Sequence, residues 1–289
     1  MTSLDKTRSK DDKPGQEWAS LTQEGPYAAQ IGSALITMVE PHVGHEAAYN
    51  RWYEDDHYIS GAMAFPWVFA GRRWVATREL QLLRYPEASP IADPVTAGCY
   101  LSTYWLVDGR YKEQFYWATA TNNRLNADGR GFDTGRTHVF TNYQYYNGAT
   151  YREGVVSRDI HALDLPHRGL VLEVIDADEG VAREDLDAWL AAEYLPSVTT
   201  GPIAMSLRWE PIPMPVRKGE GVKVLDTPGL DRRLTVLHFL DVDPRECWSG
   251  TFGADRGERV AAGGLGRVVL AAPFIPTIPG TETYVDQLR

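Results

Sequence analysis

The chain contains the same pattern of segments twice, and this internal repeat limits the possible folds more than any other feature of the sequence. In each half an apolar run leads to a helix-like segment that carries a tryptophan, Trp52 in the first half and Trp189 in the second. An Arg-Trp pair follows at nearly the same distance in both halves, at positions 73–74 and 208–209. The common order and spacing of these matches indicate a duplicated unit.

Each unit continues, after its Arg-Trp pair, with a Pro-rich connection, a strand-like run, a helix-like stretch and a last strand-like run. The resulting order, β-α-β-β-α-β, is typical of a ferredoxin-like unit. The sheet of one such unit carries helices on one face only, so its other face must be covered by something else. We therefore predict an α+β fold in which two ferredoxin-like βαββαβ repeats pack sheet to sheet as an intrachain dimeric α/β barrel.

This interpretation divides the 289 residues into four parts. Residues 1–29 are rich in charged side chains and are expected to form a flexible tail. The first repeat is predicted to span residues 30–150 and to bear the functional site. A linker over residues 151–167 is predicted to lead to a second repeat over residues 168–289, which we expect to be degenerate and structural.

The composition argues against several classes of partner. The formal net charge is −10 and no basic patch is visible, which disfavours a nucleic-acid partner. No apolar run approaches the roughly 20 residues that a membrane-spanning helix needs. The two cysteines, Cys99 and Cys247, are too few for a disulfide scaffold, and no signal-peptide pattern precedes them. We expect a cytoplasmic protein that binds a small molecule, and a homo-oligomer stays possible.

The first helix-like segment, residues 45–57, combines aromatic and ionisable side chains. At 3.6 residues per turn, Tyr49, Trp52, Tyr53 and Asp56 share one face of a helix, and His57 lies at the edge of that face. In one interpretation the helix ends near Asp56, and His57 caps its C-terminus. In the other, Asp56 or a neighbouring group orients His57, which transfers protons in a pocket near neutral pH.

The strands predicted for the first half are rich in polar aromatic side chains. Twelve of the fifteen tyrosines lie at or before residue 150. Alternation along residues 99–107 and 138–146 gives each strand one polar-aromatic face, which includes Tyr104 in the first strand and both His138 and Asn142 in the second. Such a set suits a pocket for a ring-bearing ligand. The alternative is that these side chains lie at the interface between the sheets or at the surface.

The run N-R-W-Y-E-D-D-H from Asn50 to His57 resembles the Trp-Tyr-acid-acid-acid-His helix of EthD-type proteins, within the dimeric α/β-barrel superfamily. The resemblance covers both halves and implies ferredoxin-like units paired by their sheets, with a functional histidine at His57. The superfamily includes cofactor-free isomerases, polyketide cyclases and quinol-forming monooxygenases, and also haem-binding enzymes. The second copy departs from the pattern, because Tyr194 stands at the position of the histidine.

From these features we expect a cofactor-free acid/base enzyme of the lyase, isomerase or cyclase type. It would act on a small hydrophobic, oxygenated ring compound in catabolism or secondary metabolism, with His57 as the proton-transfer residue. The alternatives are a non-catalytic ligand-binding protein and a haem-binding protein of the same fold. The expected catalytic residues are His57, Asp56 and Tyr53, and the expected substrate-binding residues are Tyr49, Trp52, Arg73, Tyr104, His138 and Asn142.

Two further interpretations concern metals and ion pairs. His42, His45, Glu46 and His57 suggest a metal site, because imidazole and carboxylate are common metal ligands. His42 and His45 lie in a turn, however, and the spacing is not that of a zincin, so we expect no metal. Arg72 and Arg73 could hold a substrate carboxylate or phenolate through a forked pair of hydrogen bonds. A structural salt bridge is the favoured role, because Arg208 occupies the equivalent position in the copy that lacks the histidine.

Overall fold

The computed structural model of the chain describes residues 29–132, 134–213 and 228–289. The predicted tail over residues 1–29 therefore lies outside the described residues except for its last residue. The strands are β1 Ile31–Pro41, β2 Val68–Val75, β3 Tyr100–Val107, β4 Arg136–Tyr151, β5 Gly169–Ala177, β6 Ile203–Pro211, β7 Arg233–Leu240 and β8 Gly266–Pro276. The α-helices are α1 Glu46–Trp52, α2 Arg78–Gln81, α3 Tyr111–Ala127, α4 Arg183–Trp189, α5 Leu195–Val198, α6 Pro244–Thr251 and α7 Ala254–Ala262. The π-helical turns are Tyr53–His57, Ile59–Met63 and Leu190–Tyr194, and short 3₁₀ turns are Asp159–His161 and Val285–Gln287. Within these ranges, no helix is both long enough and apolar enough to cross a membrane.

The eight strands form one closed barrel in the order β1-β3-β2-β8-β5-β7-β6-β4. The first repeat contributes four neighbouring strands and the second repeat the other four. The two sheets join where β2 pairs with β8 and where β4 pairs with β6, and all these pairs are antiparallel. The predicted fold class, two ferredoxin-like repeats in an intrachain α/β barrel, is confirmed.

The interior of the barrel is filled by large aromatic side chains from both repeats. The rings of Trp105 and Trp209 lie 4.7 Å apart between centroids, and those of Trp74 and Phe239 lie 6.1 Å apart. All four side chains are fully buried. Burying one such side chain stabilises the fold by roughly 1.5–3 kcal/mol. Because tryptophans fill this space, a sizeable ligand site is expected on the outer, helix-covered face of a sheet.

The first helix of each repeat widens into a π-helical turn directly after its tryptophan. In the first repeat α1 ends at Trp52 and the π-helical turn spans Tyr53–His57; in the second, α4 ends at Trp189 and the turn spans Leu190–Tyr194. A π-helix places residues five apart above one another. The wider turn therefore brings residue 57 back over residue 52, and residue 194 over residue 189.

Candidate functional site

A cavity of about 250 Å³ lies between the helices and the outer sheet face of the first repeat. Its floor consists of side chains from β1, β3 and β4, and its walls come from the segment after α1 and from α3. The size lies just below the roughly 300–1,000 Å³ that is common for small-molecule sites. Of the residues expected at the site, Trp52, Tyr53, His57, Tyr104 and His138 line this cavity.

His57 is the ionisable group of the π-helical turn that faces the cavity. Its imidazole stacks on the indole of Trp52, with ring centroids 4.4 Å apart and 20° between the ring planes. Burial and then the nearby charge of Arg136 lower the pKa of His57 to about 3, so the ring is neutral at physiological pH. Within the described ranges, neither ring nitrogen of His57 forms a hydrogen bond to another residue. The imidazole is therefore neutral, and among the described residues its nitrogens have no hydrogen-bond partner.

Asp56 does not orient His57, contrary to expectation. Its carboxylate accepts hydrogen bonds from Arg130, whose Nε lies 3.0 Å from Oδ2, and from the hydroxyl of Ser60. The hydrogen bond from Arg130 lowers the pKa of Asp56. Arg130 lies beyond α3, far along the chain, which is why helix periodicity could not identify this partner. Asp56 belongs to an ion pair at the rim of the cavity.

Tyr53 and Tyr104 form a hydrogen-bonded pair in the wall of the cavity. The hydroxyl of Tyr53 donates to Oγ of Ser102 over 2.7 Å and also bonds the hydroxyl of Tyr104. Tyr104 is almost fully buried, and burial raises its pKa well above the usual value. The hydroxyl of Tyr53 is used in these hydrogen bonds. Tyr53 therefore contacts His57 only through its ring, and the two ring centroids are 5.5 Å apart.

Arg73 and Tyr49 lie beneath the helix, not in the cavity. Nη1 of Arg73 donates to Glu54 over 3.0 Å and to Asn50 over 2.6 Å. Its counterpart Arg208 bonds the first helix of the second repeat in the same way. Arg73 therefore has the structural ion pair that the sequence favoured. Tyr49 is buried under the same helix with 1% of its surface exposed.

A β-bulge in β4 changes which side chains of that strand face the cavity. The register with β1 shifts between Met38 and Val39, so His138 lies on the same face as Thr141. The hydroxyl of Thr141 is 2.8 Å from Nδ1 of His138. Asn142 instead pairs with Ile36 on the opposite face of the sheet, inside the barrel. The expectation that His138 and Asn142 share one face is therefore wrong, because strict alternation does not hold across a bulge.

The equivalent position in the second repeat is filled by a buried ion cluster. Glu173 accepts from Nε of Arg256 over 3.0 Å and lies 3.0 Å from Nε2 of His238. These three side chains are almost completely buried. Burial alone would raise the pKa of Glu173, but Arg256 and His238 lower it to about 2. Nδ1 of His238 also lies 2.7 Å from the hydroxyl of Ser206, and all these partners come from elements that are far apart in the sequence.

Tyr194 repeats the geometry of His57 without its chemistry. Its ring stacks on Trp189 with centroids 5.2 Å apart and 21° between planes. The predicted correspondence between Tyr194 and His57 thus has a structural basis in the π-helical turns. Elsewhere in the described part of the chain, no three His, Cys, Asp or Glu side chains are grouped to hold a metal ion, and His42 bonds Thr137 at 2.9 Å.

The fold is shared with several solved structures at low sequence identity. A candidate chlorite dismutase is 11% identical, with a TM-score of 0.50 over 90% of this chain and 100% of its own. An anthrone oxidase-like protein is 6% identical, with a TM-score of 0.50 over 88% of this chain and 95% of its own. A DypB variant of Rhodococcus jostii RHA1 in complex with heme is 10% identical, with a TM-score of 0.42 over 87% of this chain and 94% of its own. No model of a protein family and no curated protein matches the chain.

The expectation of a cofactor-free lyase, isomerase or cyclase is wrong. Two structures that share this fold at a TM-score of 0.50 are named as a candidate chlorite dismutase and an anthrone oxidase-like protein, and neither name is that of a lyase, an isomerase or a cyclase. The geometry of the site agrees with this correction. A general base near neutral pH would need a pKa close to 7, whereas burial lowers the pKa of His57 to about 3, and the carboxylate of Asp56 is hydrogen-bonded to Arg130 and not to His57.

Proposed function

We propose that the cavity of the first repeat binds haem, with the imidazole of His57 as a ligand to the iron, and that the chain is a haem-dependent oxidoreductase. One observation carries this proposal: a histidine that is neutral at physiological pH faces a cavity with no hydrogen-bond partner among the described residues. Neutral imidazole is the form that binds iron in haem proteins.

The surroundings of His57 fit such a role. A metal-binding histidine usually has its ring orientation fixed by a second group, most often a hydrogen-bond acceptor. Here the stacked indole of Trp52 fixes the plane of the ring at 4.4 Å. The low pKa also means that binding iron would not have to compete with a proton above about pH 4.

The cavity has an apolar part and a cationic part, as a haem with its carboxylate side chains requires. Leu35, Phe65 and Val68 line the apolar part. Arg130 and Arg136 line the cavity near its rim, and the guanidinium of Arg136 lies 4.6 Å from the ring centroid of Trp52. These arginines would hold carboxylates, and the apolar wall would exclude water. Haem, when bound, supplies one-electron and oxygen chemistry that side chains alone do not.

We also propose the family and the roles of the two repeats that the sequence suggested. The run from Asn50 to His57 supports a place among the EthD-type proteins of this superfamily. We propose that residues 30–150 form the site-bearing repeat and that residues 168–289 serve as its structural partner. The closed ion cluster around Glu173 supports the second assignment, because it occupies the space that would correspond to the cavity.

A haemin titration tests the proposal. Purified protein should develop a Soret band whose absorbance saturates at one haemin per chain, and His57→Gln should weaken binding or shift the band. A matched control is His42→Gln, which alters an exposed histidine outside the cavity and should leave the spectrum unchanged. Absence of a saturable Soret change in the unmodified protein would rule out haem binding.

A second candidate function is the binding of an oxygenated ring compound without haem, and one observation favours it. Oε1 of Gln114 is buried beside the cavity without a hydrogen-bond partner among the described residues. A hydroxyl group on a ligand could donate to it. Calorimetric titration with phenolic compounds, compared between the unmodified protein and Gln114→Leu, would detect such binding independently of any Soret band.

A further inference from the structure

The C-terminal segment, residues 277–289, follows β8 of the second repeat but lies against the first repeat. The backbone N–H and the hydroxyl of Thr277 both donate to the carbonyl of Arg73, each over 3.2 Å. Near the other end, Leu288 is fully buried, and its carbonyl accepts from Nε2 of Gln81 over 3.1 Å. The segment is therefore fixed to the first repeat at both of its ends.

Between these ends the segment runs along the helix that leads to His57. Nδ2 of Asn50 donates to the carbonyl of Thr281 over 2.9 Å. The backbone N–H of Gly280 donates to Oε2 of Glu54, also over 2.9 Å. These contacts lie on the side of the helix that faces away from the cavity, so the segment touches the helix without lining the ligand site.

The last residue also contacts the start of this helix. Nε of Arg289 donates to the carboxylate of Glu46 over 2.9 Å, and its Nη2 donates to the carbonyl of Pro41 over 2.6 Å. The first turn of α1 and the π-helical turn after it are thus both attached to the same C-terminal segment.

Glu54 connects this segment to the wall of the cavity. While one carboxylate oxygen accepts from Gly280, the other accepts from Nη1 of Arg73 over 3.0 Å. The two side chains are only 10% and 3% exposed, so solvent screens their interaction little. The guanidinium of Arg73 lies 4.5 Å from the ring centroid of Tyr53, which lines the cavity.

We infer that the C-terminal segment of the second repeat positions the His57-bearing helix through Glu54 and Arg73, and thereby sets the ligand affinity of the cavity in the first repeat. Glu54 and Arg73 are positioning residues, since neither needs to touch the ligand. The second repeat then has a role in the site beyond closing the barrel. The part that concerns affinity rests on the proposed function, whereas the part that concerns the helix does not.

Hydrogen–deuterium exchange in the unliganded full-length protein tests the positioning directly. Glu54→Gln removes one of the two carboxylate acceptors, and Arg289→Gln removes the terminal contact. Both should accelerate exchange across residues 46–63 while residues 183–198 of the second repeat stay protected. Leu186→Ala, a fully buried core change in the second repeat, serves as the control for general destabilisation. If residues 46–63 exchange no faster in Glu54→Gln than in Leu186→Ala, the inference is overturned.

Haemin affinity gives the second readout. Glu54→Gln should weaken haemin binding within the roughly 5- to 150-fold range that is typical of coupling between separate sites. Leu186→Ala should bind haemin as the unmodified protein does. Equal affinity in Glu54→Gln and the unmodified protein would overturn the inference. If the unmodified protein binds no haemin, the proposed function fails, and the exchange experiment alone decides whether the segment positions the helix.

Discussion

Gly61 leaves the space that the imidazole of His57 occupies: a Cβ atom at position 61 would lie 2.3 Å from Nδ1 of His57. Real Cβ atoms do not approach other heavy atoms so closely, so the ring would have to move. It cannot move far, because it is stacked on Trp52 on one side. The packing of Gly61, His57 and Trp52 therefore fixes where the imidazole presents its nitrogens.

This packing predicts the effect of Gly61→Ala. In an ordinary helix the change from glycine to alanine stabilises by about 0.5–1 kcal/mol. At position 61 we expect the opposite, a loss of about 1–3 kcal/mol from overpacking, together with weaker haemin binding. Urea unfolding measures the first effect. Gly250→Ala in α6 is the matched control, because no atom lies within 4 Å of its added Cβ, and it should not destabilise the protein.

The low pKa of His57 predicts a pH-dependent stability. Above pH 6.5, the ordinary pKa, the ring is neutral in both the folded and the unfolded chain. As the pH falls below 6.5 the unfolded chain takes up a proton that the folded chain refuses until about pH 3, so stability is lost over this window. Between pH 6.5 and 5 we expect His57 to account for a loss of about 1–2 kcal/mol.

The variant His57→Gln isolates this contribution. His167 and His238 also have pKa values lowered to about 4, mainly by burial, so the unmodified protein should lose stability from several groups. The free energy of unfolding of His57→Gln should fall less steeply over the same window, as measured by urea unfolding at each pH. Identical slopes in the two proteins would show that His57 is already protonated or exposed.

The buried pair of Glu173 and Arg256 in the second repeat predicts that removing one of the two charges destabilises the protein more than removing both. Glu173→Gln leaves the charge of Arg256 buried beside a neutral amide, and we expect a loss of about 3–5 kcal/mol. The double change Glu173→Leu with Arg256→Met removes both charges and should cost much less. Thermal and urea unfolding of Glu173→Leu, of Arg256→Met and of their combination, analysed as a double-mutant cycle, would measure how far the two side chains depend on each other. Additive losses would show that the two side chains do not depend on each other.

The ion pair between Asp56 and Arg130 predicts that replacing Asp56 has only a small effect on haemin affinity, although the sequence suggested Asp56 as a catalytic residue. Asp56→Asn breaks a partly exposed pair with Arg130, and such pairs contribute up to about 1 kcal/mol. Haemin affinity should change less in Asp56→Asn than in His57→Gln. If Asp56→Asn abolished binding as fully as His57→Gln does, Asp56 would act on the ligand site more directly than its contacts indicate.

The fold could be predicted from the sequence because each repeat has the same short motifs and apolar runs in the same order. Trp52 and Trp189, with the two Arg-Trp pairs, follow the same spacing, and the fold class follows from the order of apolar runs. The bulge in β4 could not be predicted in this way, since one extra residue reverses the faces beyond it and leaves no mark on composition. This is why Asn142 was placed in the cavity and Thr141 was missed.

Long-range side-chain partners limited the prediction of the site. His57 and Trp52 were identified because they lie in one short motif. Asp56 pairs with Arg130, and His238 contacts Glu173, Arg256 and Ser206, each on a separate element. Such pairings depend on how elements pack, and a single sequence does not record them. The protonation of His57 depends on burial and on Arg136 in the same way.

The central claim is that the imidazole of His57 is the iron ligand in the first repeat, and chemical rescue tests it most directly. His57→Gly removes the ring and leaves a space beside Trp52 that free imidazole can enter. We predict that His57→Gly loses the Soret spectrum of the unmodified haemin complex and that added imidazole restores it. A haemin spectrum that is unchanged in His57→Gly, with or without imidazole, would contradict the assignment.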